Sequence, residues 1–182
     1  MEKALREHFL PALLAEESIS DTQRDILSLP VKFAGLSIPN PAVSADGKFR
    51  DSAGASADLV RILRGQGGSL NVKEFTADIR KHRRASRAAR DETLELDYQL
   101  ATESLPARDK KRMDRARSAG AWLTVKPDRL NGTELSRGEF QDNVRLRYGL
   151  NPVDLPKKCD GCGHNFTADH ALTCAHGGKV LL

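Results

Sequence analysis

All three cysteines of the chain lie in its last quarter, within a C-x2-C-x7-H-x3-C array formed by Cys159, Cys162, His170 and Cys174. Zinc favours four soft or borderline ligands in a tetrahedron, and a C-x2-C pair on a tight turn supplies two thiolates. A histidine and a cysteine four positions apart share one side of a helical turn and supply the other two ligands. The array therefore predicts a structural zinc site closed by four protein ligands, with no position open for catalysis.

Two other histidines, His164 and His176, flank the array and are alternatives for the imidazole ligand. We favour His170, because the residues after it continue a helical turn that delivers Cys174 to the same face. His164, in contrast, would strain the turn beside Cys162. A disulfide cannot use three cysteines. Unrelated buried cysteines are the remaining alternative, but chance rarely gathers every cysteine beside a correctly spaced histidine.

The net charge is modest at +4, but the basic residues are concentrated along the chain. Between residues 80 and 90 the run RKHRRASRAAR contains no acid, and its cations are Arg80, Lys81, Arg83, Arg84, Arg87 and Arg90. A second basic stretch, RDKKRMDRAR, covers residues 108 to 117. Such local fields suit phosphate backbones, although a solvated helix face is the alternative. We predict contacts with RNA or DNA phosphates through the first run, extended by Lys157 and Lys158 beside the metal ligands.

The apolar pattern predicts a mainly α fold without one large core, since aromatic residues make up only 5% of the chain and the mean hydropathy is -0.50. We expect a helical, bundle-like region, an extended proline-rich connector and a small C-terminal zinc knuckle. Along the chain this gives a helical region with the connector at 1–65, a basic helical region at 66–120, a short apolar element with a capped helix at 121–156, and the knuckle at 157–182.

Local residue patterns predict several individual elements. The prolines of LPVKFAGLSIPNP, residues 29–41, exclude a helix and favour an extended connector packed against helices. Apolar positions between residues 72 and 105 fit either two long helices or one broken helix. Ser136 and Glu139 predict a capping box at the start of a later helix. Trp122, in the apolar run AWLTV, is interpreted as a core anchor, with base stacking as the alternative.

No apolar run approaches the roughly 18 to 20 residues needed to cross a bilayer. The segment from Met1 to Leu14 is interrupted by charged residues and is typical of an amphipathic helix rather than a secretory signal. We therefore expect an intracellular protein, nuclear if nucleic acid is its partner, that does not bind membranes.

Three blocks of the sequence follow one another in a distinctive order. They are LPVKFAGLSIPNP, then AWLTVKP followed by LSRGEFQDNVRLRYGL, and finally LPKKCDGCGHNFTADHALTCAHGGKV. From about Leu29 to its end, the chain resembles the region after the polymerase core in non-LTR retrotransposon reverse transcriptases of the type that carries a restriction-like endonuclease. The resemblance places the four residues of the Cys/His array on the family's zinc ligands. The other matching residues in that block carry shape rather than chemistry and are Phe166, Ala171, Leu172, Gly177 and Gly178.

The resemblance implies a region that helps to hold RNA template and target DNA during target-primed reverse transcription. Polymerases of this family hold two catalytic metals with an Asp-Asp pair, and no such pair occurs in these 182 residues. The family's endonuclease residues follow the knuckle, where this sequence stops at Leu182. We therefore expect a non-catalytic, nucleic-acid-binding fragment of the element's protein, with a full-length element protein as a candidate partner.

Functions of other classes are alternatives. In a protein-interaction module, the zinc module would dock a partner while the basic helix only solubilises the chain. A hydrolytic enzyme would use the metal together with His164 or Asp169, but four protein ligands leave no exchangeable water on the zinc. A relic without function is the remaining alternative.

Overall fold

The structure is a computed structural model that describes residues 1–176. Within these residues it contains helices, short turns and no β-strand, which confirms the predicted mainly α fold. The helices are α1 (Glu2–Ala4), α2 (Leu10–Leu14), α3 (Asp21–Ser28), α4 (Pro41–Leu63), α5 (Val72–Glu103), α6 (Ala107–Ser118), α7 (Arg137–Arg147) and α8 (Ala168–Thr173). Gly177 and Gly178, which belong to the sequence resemblance, lie outside the described residues.

The chain folds into two compact units. Unit 1 comprises Met1–Glu2 and Asp21–Ser104, and unit 2 comprises Lys3–Ser20 and the chain from Leu105 onward. Each unit has its own small core. The core of unit 1 includes Ile26, Leu27, Leu29, Phe33 and Tyr98, and that of unit 2 includes Leu10, Leu14, Ile19, Met113 and Val144. The four segments predicted from the sequence stay a prediction.

In unit 1, the connector of residues 29–41 is packed, as expected, but it is not extended throughout. Val31–Phe33 form a single 3-10 turn, because the carbonyl of Pro30 accepts a hydrogen bond of 2.8 Å from the Phe33 N–H. The buried Phe33 ring lies 6.4 Å from the ring of Tyr98 on α5. The prediction of an extended segment is therefore wrong at this turn, which aims an aromatic side chain into the core.

Gly35 allows this connector to return onto α3. A Cβ atom at Gly35 would overlap the carbonyl oxygen of Leu29, which belongs to the backbone and cannot rotate away. We expect Gly35→Ala to lower the free energy of unfolding by about 3 kcal/mol, the upper end for an overpacked site. Urea denaturation followed by circular dichroism would measure this change.

The matched control for this substitution is Gly47→Ala in α4. A Cβ at Gly47 meets nothing within 4 Å. Replacing an open helical glycine with alanine raises the free energy of unfolding by about 1 kcal/mol. The two substitutions should thus have opposite signs, and a stabilising Gly35→Ala would contradict the packing described for the connector.

The helices α4 and α5 form an antiparallel pair in unit 1, joined by a loop that contains the glycine cluster at 65–68. His82 Nε2 lies 3.2 Å from the carbonyl oxygen of Asp51, and the Ser86 hydroxyl donates a hydrogen bond of 3.3 Å to the Asp51 carboxylate. The helix α5 is continuous over Val72–Glu103. The apolar pattern predicted either two long helices or one broken helix, and both predictions are wrong.

In unit 2, Arg145 of α7 joins this helix to the C-terminal end of α2. The side chain is 9% exposed and donates hydrogen bonds to the carbonyl oxygens of Leu14 and, at 3.1 Å, Ala15. It also lies 3.2 Å from the carboxylate of Glu16. Because the last carbonyls of a helix have no partner within the helix, Arg145 caps α2 while it holds two helices together.

The start of α7 has the predicted capping box. The Ser136 hydroxyl accepts the Glu139 N–H at 3.3 Å, and the Glu139 carboxylate accepts the Ser136 N–H at 2.8 Å. The hydrogen bond from the Ser136 backbone lowers the pKa of Glu139 from its ordinary value. Further along α7, Val144 is fully buried, whereas Phe140 is partly exposed and meets the Trp122 ring edge-on at 5.8 Å. Within residues 1–176, no helix combines the length and apolarity needed to cross a membrane.

Candidate metal centre

A short hairpin positions the first two cysteines of the array. An isolated antiparallel bridge pairs Lys158 with Asn165. Within the hairpin, the Cys159 N–H donates to the carbonyl of His164, and the Gly163 N–H donates to the carbonyl of Cys159, both at 2.8 Å. Gly163 has a φ of 72°, in the left-handed region that favours glycine. This turn places the thiols of the C-x2-C pair on one side of the hairpin.

The helix α8 positions the other two residues. Thr167 caps its start, and the Thr167 hydroxyl accepts the His170 N–H at 3.0 Å. The Cys174 N–H donates to the His170 carbonyl at 2.8 Å, so that both residues belong to one helical turn. The predicted helical delivery of Cys174 to the face of His170 is confirmed.

These four side chains converge on one point, and their ligand atoms all lie within 4.8 Å of one another. The Cys174 Sγ atom is 3.8 Å from that of Cys159 and 3.6 Å from that of Cys162, and the Cys162 Sγ atom is 3.2 Å from His170 Nε2. A tetrahedral ion with metal–sulfur bonds of about 2.3 Å has sulfur–sulfur edges of about 3.8 Å. A disulfide needs about 2.05 Å. The cluster therefore has the spacing of metal ligands and could bind a metal ion.

The alternative imidazoles lie outside this cluster. The ring centroid of His164 is 6.2 Å from that of His170, and the backbone of His164 closes the hairpin instead. His176 is exposed. Among the residues that the structure describes, the group that could hold a metal contains His170 and neither of the other two histidines.

The cluster also favours thiolates, which are the metal-binding form of cysteine. A hydrogen bond with His170, aided by the backbone N–H groups of Cys162 and Gly161, lowers the pKa of Cys159 to about 6. At Cys162 the backbone N–H of His164 favours the thiolate, but burial and the nearby Cys174 and Cys159 thiols outweigh it and raise the pKa. One thiolate is thus present near neutral pH before a metal binds.

This pKa gives the metal affinity a specific dependence on pH. Above about pH 6 the Cys159 thiolate is already formed, so metal binding releases no proton from this residue, whereas below this pH the metal must displace one. We expect the plot of log affinity against pH to become steeper by one proton below this value, because Cys159 must then be deprotonated by the metal. Competition titrations of zinc with a chromophoric chelator at several pH values would measure the slope. A constant slope across pH 6 would contradict the prediction.

Contacts from elsewhere in unit 2 hold α8 in place. The side-chain oxygen of Asn151 accepts the N–H of Ala168, the first residue of α8, at 3.0 Å. The carbonyl of Asn151 accepts a hydrogen bond of 2.5 Å from Arg145. Arg108 of α6 forms an ion pair with Asp169, which precedes His170 of the cluster. Sequence reasoning missed these contacts, because partners so distant along the chain leave no local pattern. The Thr167 cap, in contrast, could have been found from its position ahead of a helical turn.

The predicted nucleic-acid residues of the first basic run lie on α5. All six of these cations are exposed, and we call them the basic face: Arg80, Lys81, Arg83, Arg84, Arg87 and Arg90. At 3.6 residues per turn they occupy about half of the helix circumference. His82 and Ser86, which contact α4, lie on the other half. Lys157 and Lys158 are exposed on the hairpin of the metal cluster in unit 2.

Comparison of the chain with protein-family models, with curated proteins and with solved structures found no match.

Proposed function

We propose that this chain is a non-catalytic nucleic-acid-binding protein. Its basic face holds RNA or DNA phosphates, and its Cys/His cluster holds a structural zinc ion. The observation that carries the proposal is the basic face itself, a set of six exposed cations along one half of a continuous helix, with no acid between residues 80 and 90. Uninterrupted positive charge of this kind creates a field that attracts a polyanion.

The dimensions of the basic face suit a phosphate backbone. With a rise of 1.5 Å per residue, the run from Arg80 to Arg90 is about 15 Å long. Phosphates recur every 3.4 Å along one strand of a duplex, so this length matches about four of them. The acid that follows, Asp91, is held by Lys32 at 2.8 Å, and this hydrogen bond lowers the pKa of Asp91. Arg87 and Arg90 of the basic face also lie close enough to lower this pKa, so Lys32 offsets the one acid that directly follows the run.

Zinc is the metal that best fits the cluster. Three thiolates and one imidazole are soft or borderline ligands, which favour zinc over calcium, magnesium or manganese. Four protein ligands complete a tetrahedron and leave no position for a water molecule. The proposed ion therefore has a structural role, which agrees with a non-catalytic chain. His164 and Asp169, the residues considered for hydrolysis, lie outside the ligand group.

The three sequence blocks also support this proposal. Their resemblance to the region after the polymerase core of non-LTR retrotransposon reverse transcriptases supports RNA and target DNA as ligands, with few contacts that depend on base sequence. It also supports a nuclear location and a full-length element protein as a partner. Lys157 and Lys158 would add phosphate contacts from the knuckle.

A salt series tests the proposal. We expect affinity for duplex DNA and for single-stranded RNA to fall with salt, with a log–log slope near -4 for about four phosphates on a duplex. Replacing Arg83, Arg84 and Arg87 together with glutamine should reduce the duplex slope by about 2 to 3. Fluorescence anisotropy of labelled oligonucleotides would measure both slopes.

The control carries the same change of charge at other exposed sites. Lys3, Lys126 and Arg129 are exposed, and replacing them with glutamine should leave the slope unchanged. If both triple variants weaken binding equally, net charge rather than the basic face is responsible. A salt-insensitive protein complex without nucleic-acid affinity would favour an interaction module instead. A chain with neither zinc nor binding would be a relic.

A further inference from the structure

A cavity of about 570 Å³ opens on the surface of unit 2, at residues that the proposed function does not use. Its walls come from the segment around α2, the stretch that follows α6, and the start of α7 with the loop before it. The volume lies within the range of about 300–1,000 Å³ typical of small-molecule sites. Most of the lining is apolar and includes Phe9, Leu13, Trp122, Leu123, Val125 and Phe140.

Large apolar side chains that are exposed to water gather at this cavity. Four of them keep more than a third of their surface exposed there, namely Phe9, Val125, Leu135 and Phe140. They belong to separate segments of the chain, so the tertiary fold brings them together. Exposed apolar side chains that collect in one place mark a surface that binds an apolar group.

The walls of the cavity are held in place by hydrogen bonds within the chain. The side-chain amide of Gln141 on α7 donates to the carbonyls of Ala12 and Leu13 at 3.0 and 3.3 Å, which ties α7 to α2. In the loop before α7, the Thr133 hydroxyl donates to the Lys126 carbonyl at 3.0 Å. A preformed cavity favours binding, because little conformational freedom is lost when a ligand enters.

One charged group lines this apolar cavity. Arg137, the first residue of α7, is exposed, and it is the only charged residue among the described residues of the lining. Its guanidinium group has no hydrogen bond or ion pair with the part of the chain that the structure describes. The acids nearest to it in sequence have other partners, since Glu134 pairs with Arg129 and the Glu139 carboxylate accepts the Ser136 N–H. The guanidinium group is therefore available to an anion.

The uncharged polar side chains of the lining already have partners. The Ser136 hydroxyl caps α7, Thr133 closes the loop, and Gln141 joins α7 to α2. A ligand that fits this lining thus has one polar end, which is anionic, and an otherwise apolar body.

We infer that this cavity binds a medium-chain carboxylate, with its alkyl chain against the apolar lining and its carboxylate on Arg137. Guanidinium groups bind carboxylates through paired, parallel hydrogen bonds. The cavity volume suits one alkyl chain rather than a two-chain lipid. The inference goes beyond the proposed function, because it uses neither the basic face nor the Cys/His cluster.

Trp122 reports binding directly, because it is the only tryptophan of the chain and lines the cavity. Decanoate, added below its micelle concentration to the full zinc-loaded chain, should change the Trp122 emission in a saturable way. Burial of each further CH₂ group strengthens binding about fourfold, so octanoate, decanoate and dodecanoate should differ by about fifteenfold at each step. Absence of saturable binding, or equal affinity of the three carboxylates, would overturn the inference.

Removing the charge separates the carboxylate contact from the apolar contact. Arg137→Gln should weaken decanoate binding about fivefold, the upper value for an exposed ion pair, and should leave the binding of decan-1-ol unchanged. Lys157→Gln, at an exposed residue outside the lining, is the control and should bind both ligands as the wild type does. Decanoate binding that is unchanged in Arg137→Gln, or decan-1-ol binding that falls equally, would overturn the inference.

Filling the cavity tests its location. Ala12→Phe adds a large side chain at an exposed position of the lining, so decanoate and decan-1-ol should both bind at least tenfold more weakly while circular dichroism stays unchanged. Undiminished binding in this folded variant would place the ligand elsewhere and overturn the inference. The variant with Arg83, Arg84 and Arg87 replaced by glutamine should keep its decanoate affinity. Failure of the basic face and failure of the cavity are therefore separate results.

Discussion

Cys159→Ser should abolish zinc binding and unfold the C-terminal knuckle. Among residues 157–176, Cys159 is the only buried one, so this segment has almost no apolar core of its own. Small zinc modules obtain their folding free energy from the metal, about 10–16 kcal/mol at neutral pH. Elemental analysis should find one zinc per wild-type chain and none in the variant. Limited proteolysis should then cleave the variant within this segment. The helices elsewhere in the chain should keep their circular dichroism signal.

Histidine variants form the matched control for this result. His170→Ala should lose zinc as Cys159→Ser does, because its Nε2 belongs to the ligand group. His164→Ala and His176→Ala should retain it, since neither residue is in that group. If His164→Ala lost the metal while His170→Ala kept it, the choice of imidazole would be wrong. Zinc retained by all the single variants would contradict a four-ligand site.

Arg145→Met should be among the most destabilising substitutions away from the Cys/His cluster. The side chain satisfies the carbonyls of Leu14, Ala15 and Asn151 and pairs with Glu16. Methionine keeps much of the packing but leaves these acceptors without a donor. Because Glu16 is partly exposed, loss of its ion pair contributes less to the destabilisation. We expect the free energy of unfolding to fall by about 3 kcal/mol, as measured by urea denaturation with Trp122 fluorescence as the probe.

The control for this prediction is Arg129→Met. Arg129 is 91% exposed and pairs with Glu134 at 3.4 Å. Exposed ion pairs contribute about 0–1 kcal/mol, so this substitution should change the free energy of unfolding little. Arg145→Met should also weaken zinc binding, because Asn151 links Arg145 to the start of α8. Equal stability of the two variants would show that Arg145 does not cap α2.

Much of the candidate metal site can be predicted from the sequence because its determinants are local. The C-x2-C pair lies on one tight turn, and His170 and Cys174 lie on one turn of helix, so spacing alone predicts that each pair shares a face. The capping box of Ser136 and Glu139 is predictable for the same reason. The exposure of the basic run is also predictable, since six cations without neutralising acids cannot be buried.

Sequence alone predicts the helical class, the four residues of the Cys/His cluster and the position of the cationic run, because these depend on residues a few positions apart. Tertiary packing, in contrast, makes α5 one continuous helix, forms the turn at residues 31–33, and brings Arg145 and Asn151 into position to support α8. These arrangements depend on which side chains meet when distant segments pack, and periodicity along one segment carries no information about its partner.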